Sequence, residues 1–369
     1  MTSKAFGLAQ LGNAYADGAL SNRNKIINGA MVIDQRNAGA AVTVNSTAQT
    51  FSVDRWWASG QSTDGVFTMQ QSSTAPSGFS NSTLITVTTA DASIGTTQRY
   101  YFAQRIEGFN TADLGWGTAS ASTVTLSFWV RSSVTGAFGG FVYNSDADYS
   151  YPFSYTISSA NTWEQKAVTI AGPTAGTWVG ATNGMGLQVG WSLGAGTDRL
   201  GTAGAWTAAQ KFGATGQTNL IATLNATFYI TGVQLEAGDT ATPFEHRSYG
   251  AELALCQRYY FRFNPSAGNS NTLGVGFVDS STSSSHTHYF PVPMRAAPSA
   301  LEQSGTAGNY AVRRGGGAST TCSAVPAFSD ANITNATFRL AVSSGLTAGQ
   351  AVSGRAVNTN AYLAWSAEL

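Results

Sequence analysis

The sequence predicts an all-β protein: a jelly-roll β-sandwich, then a short helical joint, then a smaller C-terminal β-sandwich. Three observations carry that expectation. First, Gly numbers 41, only 10% of residues are charged, and Ser, Thr, Ala and Asn fill much of the rest, so strong helix formers are scarce. Second, short runs alternate apolar and polar residues with period 2, punctuated by Gly, Asn, Asp and Ser. Third, the period breaks once, near residue 250, and then returns. At 369 residues the chain is too long for one typical core and suits two domains.

Residues 1–23 carry no strand pattern. Leu8, Leu11 and Tyr15 have the i, i+3, i+7 spacing of one helical face, extended by Phe6 and Leu20, while Gly7, Gly12 and Gly18 oppose a helix. So small a tail buries nothing alone; it either frays or docks onto a partner.

Residues 24–246 form the first β-domain. "KIINGAMVIDQRNAG" reads as strand, Asn-Gly turn, strand. About ten further runs follow, from "TFSVDRWWASG" to "LNATFYITGVQLEAG", a number and spacing that make a jelly roll the natural architecture. Trp56 and Trp57 are adjacent, so on a strand they face opposite sides, one into the core and one partly exposed.

Residues 247–264 form the helical joint. Pro243 stops the preceding strand, and Ser248 is the cap candidate despite Gly250. "AELALCQRYY" places Leu253, Cys256 and Tyr260 on one face, to bury against the second domain or another subunit. From 265 to 369 the period is again 2, in "TLGVGFVDS", "ATFRLAVSS" and "AYLAWSAEL".

Lys plus Arg is 19 and Asp plus Glu is 19, a net charge of zero. Nucleic acid as main partner is excluded by that balance, because phosphate binding needs concentrated cations. Cys256 and Cys322 match no metal or redox spacing and read as buried free thiols. No run of about 20 apolar residues exists, so no membrane insertion is expected. The first residues lack the apolar core of a signal peptide, which points to synthesis and folding in a cytoplasm.

Aromatic residues in loops are the candidate binding groups, since a sugar ring stacks on a flat aromatic face. Trp116 in "DLGWGT", Tyr149 and Tyr151 in "DADYSYP", and Trp178 in "AGTWVG" sit in Gly- or Asp-rich loops; Trp57 is the fifth candidate. The competing role for such residues is to cap a sandwich edge. Asp146 and Asp148 form the densest acidic loop and suit turn caps or a cation better than a catalytic pair. No catalytic motif is found, so neither an enzyme nor a cofactor is expected.

Two resemblances enter here. "IINGAMVIDQRNAG" with "FSVDRWW", joined to the late "FYITGVQLEAGDTATPFEHRSYGAELALCQRYY", resembles phage virion proteins, especially tail-fibre and tail-tip proteins of phages of Gram-negative bacteria. "YFPVPMRAAPSA" and "YLAWSAEL" look like that family's second domain, so the likeness runs over residues 24 to 369. It implies a virion protein, made in the host cytoplasm. Its tail would grip other tail or capsid proteins, and the homotrimer would attach to host surface glycan. In such a trimer His286 and His288, two apart on a strand, would bring six imidazoles to the axis for a transition metal; two ordinary strand histidines are the simpler reading. A capsid head fibre or decoration protein, or a secreted bacterial carbohydrate-binding module, are the alternatives.

Residues 25–236 are also similar to carbohydrate-binding modules of the galactose-binding-like jelly-roll type, through "LSFWVRSS", "TWEQKAVTI" and "FYITGVQLE". Thr231 and Gly232 stand where those modules often place acidic residues beside a structural calcium, which argues against calcium there.

Overall fold

The computed structural model describes residues 22–61, 64–265 and 271–369. The chain divides into two compact units, residues 1–252 with Leu369, and residues 253–368. The expected N-terminal tail lies almost wholly outside the described residues, which begin at Asn22.

The first unit holds β1 (Val42–Val44), β2 (Thr50–Phe51), β3 (Trp57–Ser59), β4 (Val66–Ser72), β5 (Ser82–Thr89), β6 (Arg99–Glu107) and β7 (Val124–Ser132). It continues with β8 (Gly136–Asn144), β9 (Ser150–Ile157), β10 (Glu164–Ile170), β11 (Met185–Ala195), β12 (Leu200–Gly201), β13 (Gly213–Ala214) and β14 (Thr227–Ala237). One six-stranded sheet has the order β1-β4-β5-β14-β7-β10 and the other β2-β3-β6-β11-β8-β9. Between them lies one core, in which Trp56 stacks on Phe102 at 4.8 Å and Trp191 packs against Phe128 at 5.3 Å. This is the expected sandwich.

The expected hairpin over residues 26–39 is absent. Only its turn forms, closed by Met31 N–H donating to Asn28 O. The flanking chain is held by side chains instead of a ladder. Asn28 Nδ2 donates to Ile33 O and Asp54 O, and Gln104 exchanges two hydrogen bonds with the Ile27 backbone. Ile26–Gly29, Met31 and Ile33 are buried, so their backbone groups must be satisfied, and amide side chains do that in place of a partner strand.

The charged segment after β14 closes the unit. Glu245 accepts from the backbone N–H groups of Asn22 and Asn24. Arg247 donates to the carbonyls of Asn24 and Ile26, and Glu252 accepts from Asn28 N–H while lying 3.4 Å from Arg247. What reads as a break in the sequence is therefore a clamp that fixes residues 22–28.

Helix α1 spans Tyr249–Gln257. It ends earlier than expected, which corrects the helical face proposed for Leu253, Cys256 and Tyr260. Cys256 is fully buried and Leu253 half-buried, but Tyr260 has left the helix. It opens β15 (Tyr260–Phe263), where it pairs with Ser366, and its hydroxyl donates to Glu302. Two β-forming aromatics in a row, Tyr259 and Tyr260, end the helix in favour of the sheet.

The second unit adds β16 (Thr272–Ser280), β17 (Ser283–Tyr289), β18 (Glu302–Gln303), β19 (Tyr310–Arg314), β20 (Ser319–Thr321), β21 (Ala327–Ala331), β22 (Asn335–Ala341), β23 (Ala351–Ala356) and β24 (Leu363–Ser366). Its sheets are β15-β24-β18 and β20-β19-β23-β16-β17-β22-β21. Trp365, Phe338, Leu340, Tyr310 and Leu363 fill its core.

Candidate functional site

The strand directions of the first unit bring several loops to one end. β6 and β8 both pair antiparallel with β11, so their C-terminal ends point the same way. β10 ends opposite the start of β7, with Ile170 facing Val124. The β6–β7, β8–β9 and β10–β11 connections therefore converge. The segment after β12 joins them through an isolated bridge between Ser150 and Thr207.

Each loop delivers an aromatic ring to a cluster centred on Trp206. Tyr149 stacks on it with centroids 5.6 Å apart and planes 5° from parallel, and Tyr151 meets it at 5.3 Å. Trp116 and Trp178 meet it edge-on at 5.5 and 5.6 Å and touch each other at 4.9 Å. These offset-stacked and edge-to-face arrangements are the favoured ones for aromatic pairs. The indole N–H groups are used internally: Trp116 donates to Ser122 O, Trp178 to Ala175 O and Trp206 to Ala171 O.

Glycines make the approach possible. Gly117, at φ +86, would bring a Cβ within 2.8 Å of the Trp178 ring. Gly176, at φ +89, would place one 3.0 Å from the Tyr149 ring. Both need a left-handed backbone and no side chain.

Exposure sorts the cluster into a base and a surface. Trp116 and Tyr151 are each only 7% exposed, which corrects their expected role as contact residues; burial also raises the Tyr151 phenol above its ordinary pKa. Tyr149, Trp178 and Trp206 are half-buried and keep ring surface toward solvent. Around them Thr177, Asp146 and Asp148 are exposed. Asp148 accepts from Asn144 Nδ2, which also bonds Thr177 O, and so ties the acidic turn to the Trp178 loop. The site offers apolar ring faces with hydroxyl and carboxylate groups at the rim, a combination suited to a polar ring with apolar C–H faces.

Trp206 was not among the candidates read from sequence. A signal for it exists: "GWG", "GTW" and "GAW" place Trp116, Trp178 and Trp206 one or two residues after a glycine with positive φ.

The remaining candidates lie elsewhere. Trp57 is 2% exposed, which corrects its expected partial exposure. The outer face of its sheet is covered by Phe212, which packs with Tyr101 and Phe141 into a second small core, and Arg105 lies 5.1 Å over the Trp57 ring. His286 and His288 share a face as expected, but that face is the core. His286 is 1% exposed, stacks on Phe338, and its Nε2 lies 2.9 Å from Ser284 Oγ. Burial pulls its pKa down to about 4. His288 lies against Phe261 and Trp365 with Nδ1 2.6 Å from Leu273 O. Rings committed this way are not presented to an axis, so the metal expectation is not supported. Among the described residues no three His, Cys, Asp or Glu side chains gather as a metal site.

No protein-family model matches the chain, and no curated protein matches it. Similar solved structures include the enzymatically active domain of bacteriophage CBA120 tailspike protein 4, at 13% identity and TM-score 0.31, over 58% of this chain and 22% of that one. A putative sugar-binding protein from Bacteroides thetaiotaomicron matches at 13% identity and TM-score 0.32, over 58% of this chain and 100% of that one. The family 11 carbohydrate-binding module of Clostridium thermocellum cellulase Lic26A-Cel5E matches at 12% identity and TM-score 0.27, over 56% and 100%. These likenesses assign no residue of this chain a role.

Proposed function

We propose that the chain is a non-catalytic glycan-binding adhesin. The observation that carries this is the convergence of Tyr149, Trp178 and Trp206, half-exposed, on a buried base of Trp116 and Tyr151. A cap on a sandwich end needs only to hide apolar surface. This cluster leaves its three outer rings partly in water, holds Trp178 and Trp206 by indole bonds to backbone carbonyls and Tyr149 by stacking on Trp206, and has Thr177, Asp146 and Asp148 exposed in the same loops. A pre-ordered aromatic surface binds without a large ordering cost.

The proposed setting is a phage virion, as a tail fibre or tail-tip protein, following the sequence likeness over residues 24 to 369. Residues 1–23 would anchor the chain to tail proteins, or to capsid proteins if it is a head fibre. As a homotrimer it would present several weak sites at once and gain avidity from their effective concentration. Labelled full-length protein incubated with host cells and with purified lipopolysaccharide or capsule tests this. Saturable binding lost in Trp178→Ala is expected. No binding to any host surface polysaccharide, with virions lacking the protein adsorbing normally, would refute it.

A further inference from the structure

We infer that the first unit carries a second binding site, for a carboxylate-bearing oligosaccharide, on the outer face of the sheet β1-β4-β5-β14-β7-β10. Strand register brings its residues together. Thr43 pairs with Thr68, Thr68 with Thr86 and Thr86 with Thr227, so four threonines form one row across β1, β4, β5 and β14. Two residues further along β14, Tyr229 pairs with Arg131 on β7. The Arg131 guanidinium lies 5.0 Å over the Tyr229 ring, and Trp163, just before β10, meets that ring at 6.1 Å. The sequence neighbours of the strand residues, Val44, Phe67, Ile85, Phe228 and Val130, are fully buried in the core. Alternation therefore points both rows outward. All seven residues are half-buried or exposed.

Spacing and chemistry select the ligand. Neighbouring strands lie about 4.8 Å apart, so the hydroxyls recur at that interval, with the second row about 7 Å away. None of the four threonine hydroxyls makes a hydrogen bond among the described residues, and none is shielded from water. Arg131 is oriented for an anion. Its Nε donates to Asn161 O at 2.9 Å, while Nη1 and Nη2 meet no acceptor among the described residues. Two such donors in one plane match a carboxylate. Glu164, beside Trp163, does not compete, because it accepts from Lys166 and from the Ser158 and Ser159 N–H groups. A sugar chain lying across the strands would meet a hydroxyl at each strand, an aromatic ring for its C–H face, and a guanidinium for its charge. The threonine row alone would not select charge, and Arg131 alone would not select a chain. The site shares no residue with the Trp206 cluster.

Saturation-transfer NMR on the full chain tests this, with tetragalacturonate and a hyaluronan tetrasaccharide as probes, beside their methyl-esterified forms and galacturonate alone. At least one acidic tetrasaccharide should give a strong signal. Its ester, with the same rings and no charge, and the single sugar should each give a weak one. Arg131→Gln should weaken binding at least about tenfold, the loss of one charge-assisted pair, and Arg131→Lys should recover only part of it. Thr86→Val keeps the side-chain shape and removes a hydroxyl, so it should weaken binding in a chain that melts like the parent. Trp178→Ala should leave the signal unchanged, so the outcome stands apart from that of the aromatic cluster. No signal from either acidic tetrasaccharide, equal signals from acid and ester, or an acidic signal that survives Arg131→Gln or Thr86→Val, would overturn the inference.

Discussion

Tyr149 and Trp206 lie face to face, ring centroids 5.6 Å apart and planes 5° from parallel, although 57 residues separate them in the chain. The Ser150–Thr207 bridge beside them locks the contact, with N–H to carbonyl bonds in both directions at 2.9 and 3.0 Å. Position, not only proximity, is thereby fixed: the two loops cannot slide without breaking both bonds of that bridge.

Gly176→Ala tests how tightly that position is held. The substitution forces a Cβ at φ +89 to within 3.0 Å of the Tyr149 ring. Expected is a loss of about 1–2 kcal/mol, or about 2–8 °C in the melting temperature of the first unit by calorimetry. Gly180→Ala, which meets nothing within 4 Å, should melt like the parent. Equal melting of both variants would show a loop that yields freely.

Arg247 is the centre of the clamp on residues 22–28. Removing it leaves the Asn24 and Ile26 carbonyls and the Glu252 carboxylate short of a donor. Arg247→Ala should destabilise the first unit by about 3 kcal/mol in guanidinium unfolding. Arg247→Lys keeps the charge but cannot span two carbonyls, and should recover only part of it. An unchanged midpoint in Arg247→Ala would mean the clamp holds nothing.

How much of this was legible in the sequence depends on what each residue must satisfy. Period 2 located the strands because alternate burial is imposed by the sheet itself; "EQKAVTI" at β10 shows it cleanly. The hairpin over residues 26–39 failed because Asn28 and Gln104 replace the strand ladder with side-chain bonds, and no local pattern announces a partner 77 residues away. Trp57 failed because its cover, the Tyr101 ring at 5.3 Å and the Arg105 guanidinium at 5.1 Å, comes from β6, more than 40 residues away. Four of the five aromatic candidates did converge, since Gly-rich loops with aromatics are where a sandwich presents side chains; Trp206, which joins them, sat in an Ala-rich stretch without alternation.

His286 gives the second unit an acid-sensitive core. Its folded pKa of about 4 lies below the ordinary 6.5, so the fold prefers the neutral ring. Between those values the unfolded chain binds the extra proton. Stability is therefore full above pH 6.5 and falls as pH drops toward 4, by about 1.4 kcal/mol per unit at the steepest. His288, also lowered by burial, acts in the same direction. Urea unfolding of the second unit at pH 7, 6, 5 and 4.5 should show this slope, and His286→Gln should flatten it. A parent slope of zero would contradict the buried neutral ring.

Cys256 and Cys322 are both buried. Burial pushes the Cys322 thiol up to about 12, so almost no thiolate exists at pH 8. A disulfide reagent should label neither thiol in native protein and both in guanidinium. Rapid native labelling of Cys322 would place it at an open surface.

The central claim is that the Tyr149, Trp178 and Trp206 faces hold sugar. Its most direct measurement is calorimetric titration of the full-length protein and its Trp178→Ala variant with purified host surface polysaccharide, alongside their melting curves. Trp178 is half-exposed, so its loss should weaken binding at least about tenfold, near 1.4 kcal/mol, with the melting temperature little changed. Equal affinity for parent and variant, with both folded, would contradict the account and leave the cluster as a cap on the sandwich.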